Sequence, residues 1–136
     1  MRAALATASR TRFRVLHFSV QADHVHLLLA KALNRAVDRR GAVWADRYHV
    51  RRLGTPREVR YALVYVLQNW RKHGRDEPGL DPRSSAAWFT GWRVPMPVTR
   101  GFAPVAQART WLARLGWRRH GLLRVDESPR RGRLPT

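Results

Sequence analysis

The spacing of apolar and polar positions marks several stretches of this chain as structured. From Phe13 to Val20 the run Phe-Arg-Val-Leu-His-Phe-Ser-Val is rich in strand formers. Gln21-Ala22-Asp23 makes a turn before a second apolar run from His24 to Ala30, so the two predict an antiparallel hairpin. Lys31 to Arg40 places Ala32, Leu33, Ala36 and Val37 on one side at helical spacing, and Gly41 is its natural stop. Val43 to Leu53 has strand character, with Trp44, Tyr48 and Val50 on one parity and Arg47, His49 and Arg51 on the other.

The best-marked element follows. Thr55-Pro56-Arg57-Glu58 has a capping threonine, a proline suited to the first turn and a glutamate three residues after the cap. The helix it opens is predicted to run to His73, before Gly74, with Val59, Leu63, Val66, Leu67 and Trp70 as its apolar stripe. Residues 75 to 85 are rich in Asp, Glu, Pro, Gly and Ser and read as a linker, drawn at 75–87 between a first domain at 1–74 and a basic, tryptophan-rich extension at 88–125. A helix is predicted from Val105 to Leu115, and 126–136 reads as a disordered tail. Strands and helices in this order predict an α+β protein.

Charge changes the picture. The 136 residues carry 27 basic and 9 acidic side chains, a formal charge of +18, and Lys31 and Lys72 are the only lysines. Such a field disfavours the compact state unless a polyanion neutralises it, which makes nucleic acid the first partner to expect and an anionic membrane the second. Arginine suits the first, because its planar fork grips phosphate and stacks on bases. With no cysteine there is no disulfide framework, no thiolate metal site and no cysteine nucleophile. No apolar stretch approaches the roughly 20 residues of a membrane span. The expectation is a cytoplasmic, nucleoid-associated protein.

Candidate chemistry centres on His24 and His26. In a strand, residues two apart share a face and lie roughly 6.5 to 7 Å apart, so these imidazoles can converge on one metal ion while Val25, Leu27 and Leu29 occupy the opposite face. Alone, such a pair is more often an ordinary core or surface pair, and it needs a third ligand and a reactive group. The helix from Pro56 offers both: Tyr65 and Asn69 are one turn apart. Taking Trp70 as the centre of the stripe places Asn69 roughly 100° and Tyr65 roughly 140° away, outside the core, on a flank that also carries Tyr61 and Lys72. Tyrosines that merely cover the rim of a core are the competing interpretation.

The run Asp23-His24-Val25-His26-Leu27-Leu28-Leu29 resembles the histidine-hydrophobic-histidine strand of the HUH single-tyrosine transposases, especially the REP-associated branch. Three further segments agree in order and spacing: Val43-Trp44-Ala45-Asp46-Arg47-Tyr48-His49, Thr55-Pro56-Arg57-Glu58, and Ala62 to Gly74 with Tyr65-Val66-Leu67-Gln68-Asn69 at its centre. The match spans about residues 12 to 74. The resemblance implies a ferredoxin-like antiparallel sheet with helices on one face, Tyr65 as nucleophile, and His24, His26 and Asn69 as ligands of Mg²⁺ or Mn²⁺. Two imidazoles make Mn²⁺ the easier fit. It implies cleavage of single-stranded, hairpin-containing DNA through a 5′-phosphotyrosine link, strand transfer, and a possible homodimer.

Arg47, His49, Arg51, Arg52, Arg71 and Lys72 are then the expected phosphate contacts, with Arg57 and Arg60 beside them. Trp88, Trp92 and Trp117 are candidates to stack on bases, core packing being the alternative for at least two of them. The resemblance also implies a strand ahead of a first helix, whose end the Ala-rich residues 2–9 would supply, and a longer second helix than Lys31–Arg40 allows. The chain is therefore expected to lack one strand of the sheet and part of a packing helix. A catalytically inactive remnant that only binds nucleic acid is the alternative function, and a basic RNA binder a third.

Overall fold

A computed structural model describes residues 13–20, 25–31, 52–72, 78–97, 99 and 101–129; for 13–14 and 25–31, Leu28 apart, it describes the backbone alone. The expected helix at 32–40, most of the expected strand at 43–53, and His24, Arg47, His49 and Arg51 lie outside the described residues.

The hairpin forms as two antiparallel strands, β1 (Phe13–Val20) and β2 (Val25–Lys31). Lys31, expected to open a helix, ends β2. Between Val15 and His17 the register shifts by one residue, so His17 stands opposite Leu28 and Ser19 opposite His26. An extra residue of this kind restores a common face after it, which is why Val15, Leu16 and Phe18 are all buried despite their mixed parity.

The first described helix, α1 (Pro56–Leu67), begins as its sequence dictates. The Thr55 hydroxyl accepts the Glu58 amide at 3.2 Å, and the Glu58 carboxylate returns to accept the Thr55 amide at 2.9 Å and the Gly54 amide at 2.9 Å. These bonds satisfy donors that a helix start leaves without intrahelical partners. The whole expected stripe of Val59, Leu63, Val66, Leu67 and Trp70 is buried.

The helix does not run unbroken to His73. It stops at Gln68, and a four-residue helix, α2 (Asn69–Lys72), follows, with the Arg71 amide donating to the Gln68 carbonyl. No proline or glycine sits at the break. Gln68 instead turns its fully buried amide onto a neighbouring segment, donating from Nε2 to the carbonyls of Arg124 and Val125 at 3.1 and 2.7 Å.

The stretch expected as a linker is, over its described residues 78–87, packed against β1. The Val20 amide donates to the Arg83 carbonyl, the Ser85 amide to the Phe18 carbonyl, and the Phe18 amide to the Ser85 hydroxyl, all at 2.9 Å. Asp81, Ser84 and Ser85 are buried, and the Asp81 carboxylate accepts from the Ser19 hydroxyl and the Arg83 amide. Small hydroxyl residues read as linker by composition, but here they satisfy the outer edge of a strand. Farther along, the Ala106 amide donates to the Val15 carbonyl. That use of its backbone explains why the expected helix at 105–115 shrinks to α3 (Trp111–Arg114), capped by the Thr110 hydroxyl.

The tryptophan-rich segment shares one core with α1. Val59, Leu63, Val64 and Leu67 pack with Ala86, Trp92, Trp117 and Leu123, and Leu28 of β2 packs against the same cluster. Phe89 meets Trp92 edge-on at 5.1 Å and lies tilted by 33° against Trp117 at 5.6 Å, while Trp92 Nε1 donates to the Ala86 carbonyl at 3.1 Å. Gly91 makes this possible, since a Cβ there would lie 2.4 Å from the Trp117 ring. A 3-10 turn at Gly116–His120 ends at Gly121, whose φ of 88° favours glycine.

Candidate functional site

Tyr65 and Asn69 are positioned by α1, by the break, and by α2. Tyr65 stays half-buried on α1, and the Lys72 ammonium of α2 lies 5.4 Å from the centre of its ring. The two cross the break on one flank, as the periodicity predicts. Asn69 departs from expectation: it is 1 % exposed, well inside the core. The interruption at Gln68 changes the phase of the chain, and the residue that an unbroken helix would hold at the rim turns inward.

Neither polar atom of the Asn69 side chain has a hydrogen-bond partner among the described residues. A buried amide left in that state costs about 1–3 kcal/mol, so an orphaned amide calls for an explanation, and an absent ligand is one. Its Oδ1 is a hard oxygen donor of the type that Mg²⁺ and Mn²⁺ take.

Position 26 lies opposite Ser19 and shares its parity with Leu28. Leu28 packs against the core cluster that α1 shares with the tryptophan-rich segment. Among the described residues no three His, Asp or Glu side chains gather as a metal group. That set omits His24 and the side chain of His26, so the expected His24–His26–Asn69 triad is not described as a unit.

On β1, His17 holds a half-buried polar position that sequence reasoning passed over. Its Nδ1 lies 3.2 Å from the Ser85 hydroxyl, and its ring meets Phe89 edge-on at 5.3 Å. Removal from water pushes its pKa down to about 4.

The expected phosphate contacts divide by their partners. Arg52 and Lys72 are exposed. Arg71 is turned inward, donating to the carbonyls of Val125 and Gly79 and lying 5.3 Å from the Trp70 ring. Arg60 is held by a two-pronged pair with Glu127, at 2.7 and 3.0 Å. Two clefts of about 560 and 400 Å³ adjoin here, sharing Arg93, Arg124 and Asp126; neither is lined by Tyr65 or Asn69.

Of the tryptophans proposed to stack on bases, Trp92 and Trp117 are 5 % and 2 % exposed and belong to the core, and Trp88 is half-buried. Among the described tryptophans the exposed one is Trp111, which the sequence did not single out.

No family model, curated protein or solved structure matches this chain. Among the described residues no helix is long and apolar enough to cross a membrane.

Proposed function

We propose that this protein is a metal-dependent, single-stranded DNA endonuclease and strand transferase that uses Tyr65 as its nucleophile. The observation that carries this reading is Asn69: a buried amide with both polar atoms unpartnered among the described residues, four positions beyond a half-buried tyrosine that faces a lysine. The resemblance of the His24–His26 run to the HUH transposases supplies the reaction class. The finer architecture proposed with it is a ferredoxin-like sheet around the β1–β2 hairpin, in a chain able to pair as a homodimer.

In this mechanism the Tyr65 phenol oxygen attacks the scissile phosphorus. A phosphotyrosine ester forms at the 5′ side, the bond from phosphorus to the 3′ oxygen breaks, and that oxygen leaves as a hydroxyl after taking up a proton. The phenol proton passes to solvent. A divalent cation on His24, His26 and Asn69 would polarise the phosphoryl oxygens as a Lewis acid. Lys72, beside the ring, meets the negative charge of the phosphate that approaches Tyr65. The ester conserves the energy of the original bond, so a second 3′ hydroxyl can reverse the step and join new DNA.

The alternative, a remnant that binds DNA without cutting it, draws on the break at Gln68, which puts Tyr65 and Asn69 on separate helices. A covalent adduct separates the two. With labelled hairpin-containing single strands and Mn²⁺, the enzyme gives a denaturation-resistant complex that chelator and Tyr65→Phe abolish. No adduct across a broad set of hairpins overturns the catalytic reading, and an undiminished adduct in Tyr65→Phe moves the nucleophile to Tyr61 or Tyr48.

A further inference from the structure

The geometry points to a second DNA contact: Trp111 and Arg119 form a platform on which a base of single-stranded DNA stacks, with the neighbouring arginines holding its phosphates. This rests on the single-stranded substrate proposed above and names a second place where that strand is held.

Trp111 is 51 % exposed, a large ring that contributes little of the burial energy its size would allow. It is nonetheless held in place. It opens α3 just after the Thr110 cap, and its six-membered ring lies so close to Gly116 that a Cβ there would approach to 2.7 Å. The Arg119 guanidinium sits over it, 4.9 Å from the ring centre. An indole fixed by backbone and topped by a guanidinium presents a flat, cationic stacking surface, which suits any base because every base has a π face.

The charge of the surrounding sequence has one sign. No acidic residue occurs between Asp81 and Asp126, a stretch that carries eight arginines. Arg109, Arg114, Arg118 and Arg119 are exposed, and none makes an ion pair among the described residues. This differs from the nearby clefts, where Arg60 and Arg124 are already held by Glu127 and Asp126. An anionic membrane would also meet arginine and tryptophan. Insertion into an interface, however, needs a long amphipathic face, and α3 has four residues.

The test uses the full chain and unstructured oligo-dT, followed by tryptophan fluorescence and by equilibrium binding. Trp111→Ala is expected to weaken binding by about 10-fold, within the range measured for base stacking on an aromatic ring. Trp111→Leu keeps apolar bulk against Gly116 but loses the π face and should weaken binding equally, whereas Trp111→Phe should restore most of it. Exchanging Arg109 and Arg114 together for Ala should lower the salt slope by about one to two. Unchanged affinity in Trp111→Leu, or equal affinity in the Leu and Phe variants, overturns the platform. So does tighter binding to phosphatidylglycerol vesicles than to oligo-dT, or to oligo-rU than to oligo-dT. Trp111-dependent binding without any adduct defeats the catalytic proposal alone, and an adduct indifferent to Trp111 defeats the platform alone.

Discussion

At the scale of single residues, Asn69 and His17 show two ways of holding a polar group away from water. Asn69 has no partner among the described residues for either atom of its amide. Leu has the same branched skeleton as Asn with somewhat more bulk, and it removes the unpaired dipole, so Asn69→Leu should raise stability by about 1 kcal/mol in urea denaturation while abolishing the covalent adduct. A loss of stability would show that the amide is structurally satisfied and free of any ligand role. His17 is packed against Phe89 and Ser85, and its pKa lies at about 4 against 6.5 in the unfolded chain. The unfolded state thus takes up the proton first. The stability that neutral His17 contributes is fully present above pH 6.5, declines as pH falls toward 4, and is constant below. The loss is on the order of 2–3 kcal/mol. His17→Gln should flatten the stability profile across that window, and an unchanged slope would assign the pH dependence elsewhere.

At the scale of elements, the edge of β1 decides much of the architecture. An unpaired strand edge exposes backbone donors and acceptors, and here Arg83, Ser85 and Ala106 bond to it. Ser85 is the pivot, because its hydroxyl accepts the buried Phe18 amide. Ser85→Ala should cost about 1–3 kcal/mol and speed hydrogen exchange at the Phe18 amide above its neighbours. Exchange that rises uniformly along β1 would mean global destabilisation and no local role. Helix α1 is the opposite case, with its start written in four consecutive residues. Thr55→Ala should lower stability by about 1 kcal/mol, measured as a shift of the urea midpoint without a change in slope.

At the scale of the whole molecule, a charge of +18 governs encounter. DNA affinity should fall steeply with added salt, linearly in the logarithm of both, as bound cations are released from the phosphates. A salt-insensitive affinity would contradict a phosphate-tracking surface. The field needs no particular arrangement of residues to attract a polyanion, but the arrangement decides which arginines remain open. Arg60 and Arg71 are spent on Glu127 and on the carbonyls of Gly79 and Val125, whereas Arg109, Arg114, Arg118 and Arg119 face outward.

What the amino-acid order determined by itself is local. Strand formers in 13–20 and the apolar run of 24–30 made a hairpin, and Thr55 to Glu58 made a helix start. The stripe from Val59 to Trp70 made a buried face, because these signals act over a few residues of backbone. The tertiary structure alone decided the rest. It broke the helix at Gln68 because the carbonyls of Arg124 and Val125 take that side chain. It drew Asn69 inward, and it turned a serine-rich stretch into an edge for β1. It also buried Trp92 and Trp117 while leaving Trp111 in the open. Each of these outcomes depends on a partner that lies tens of residues away, and no periodicity along the chain records it.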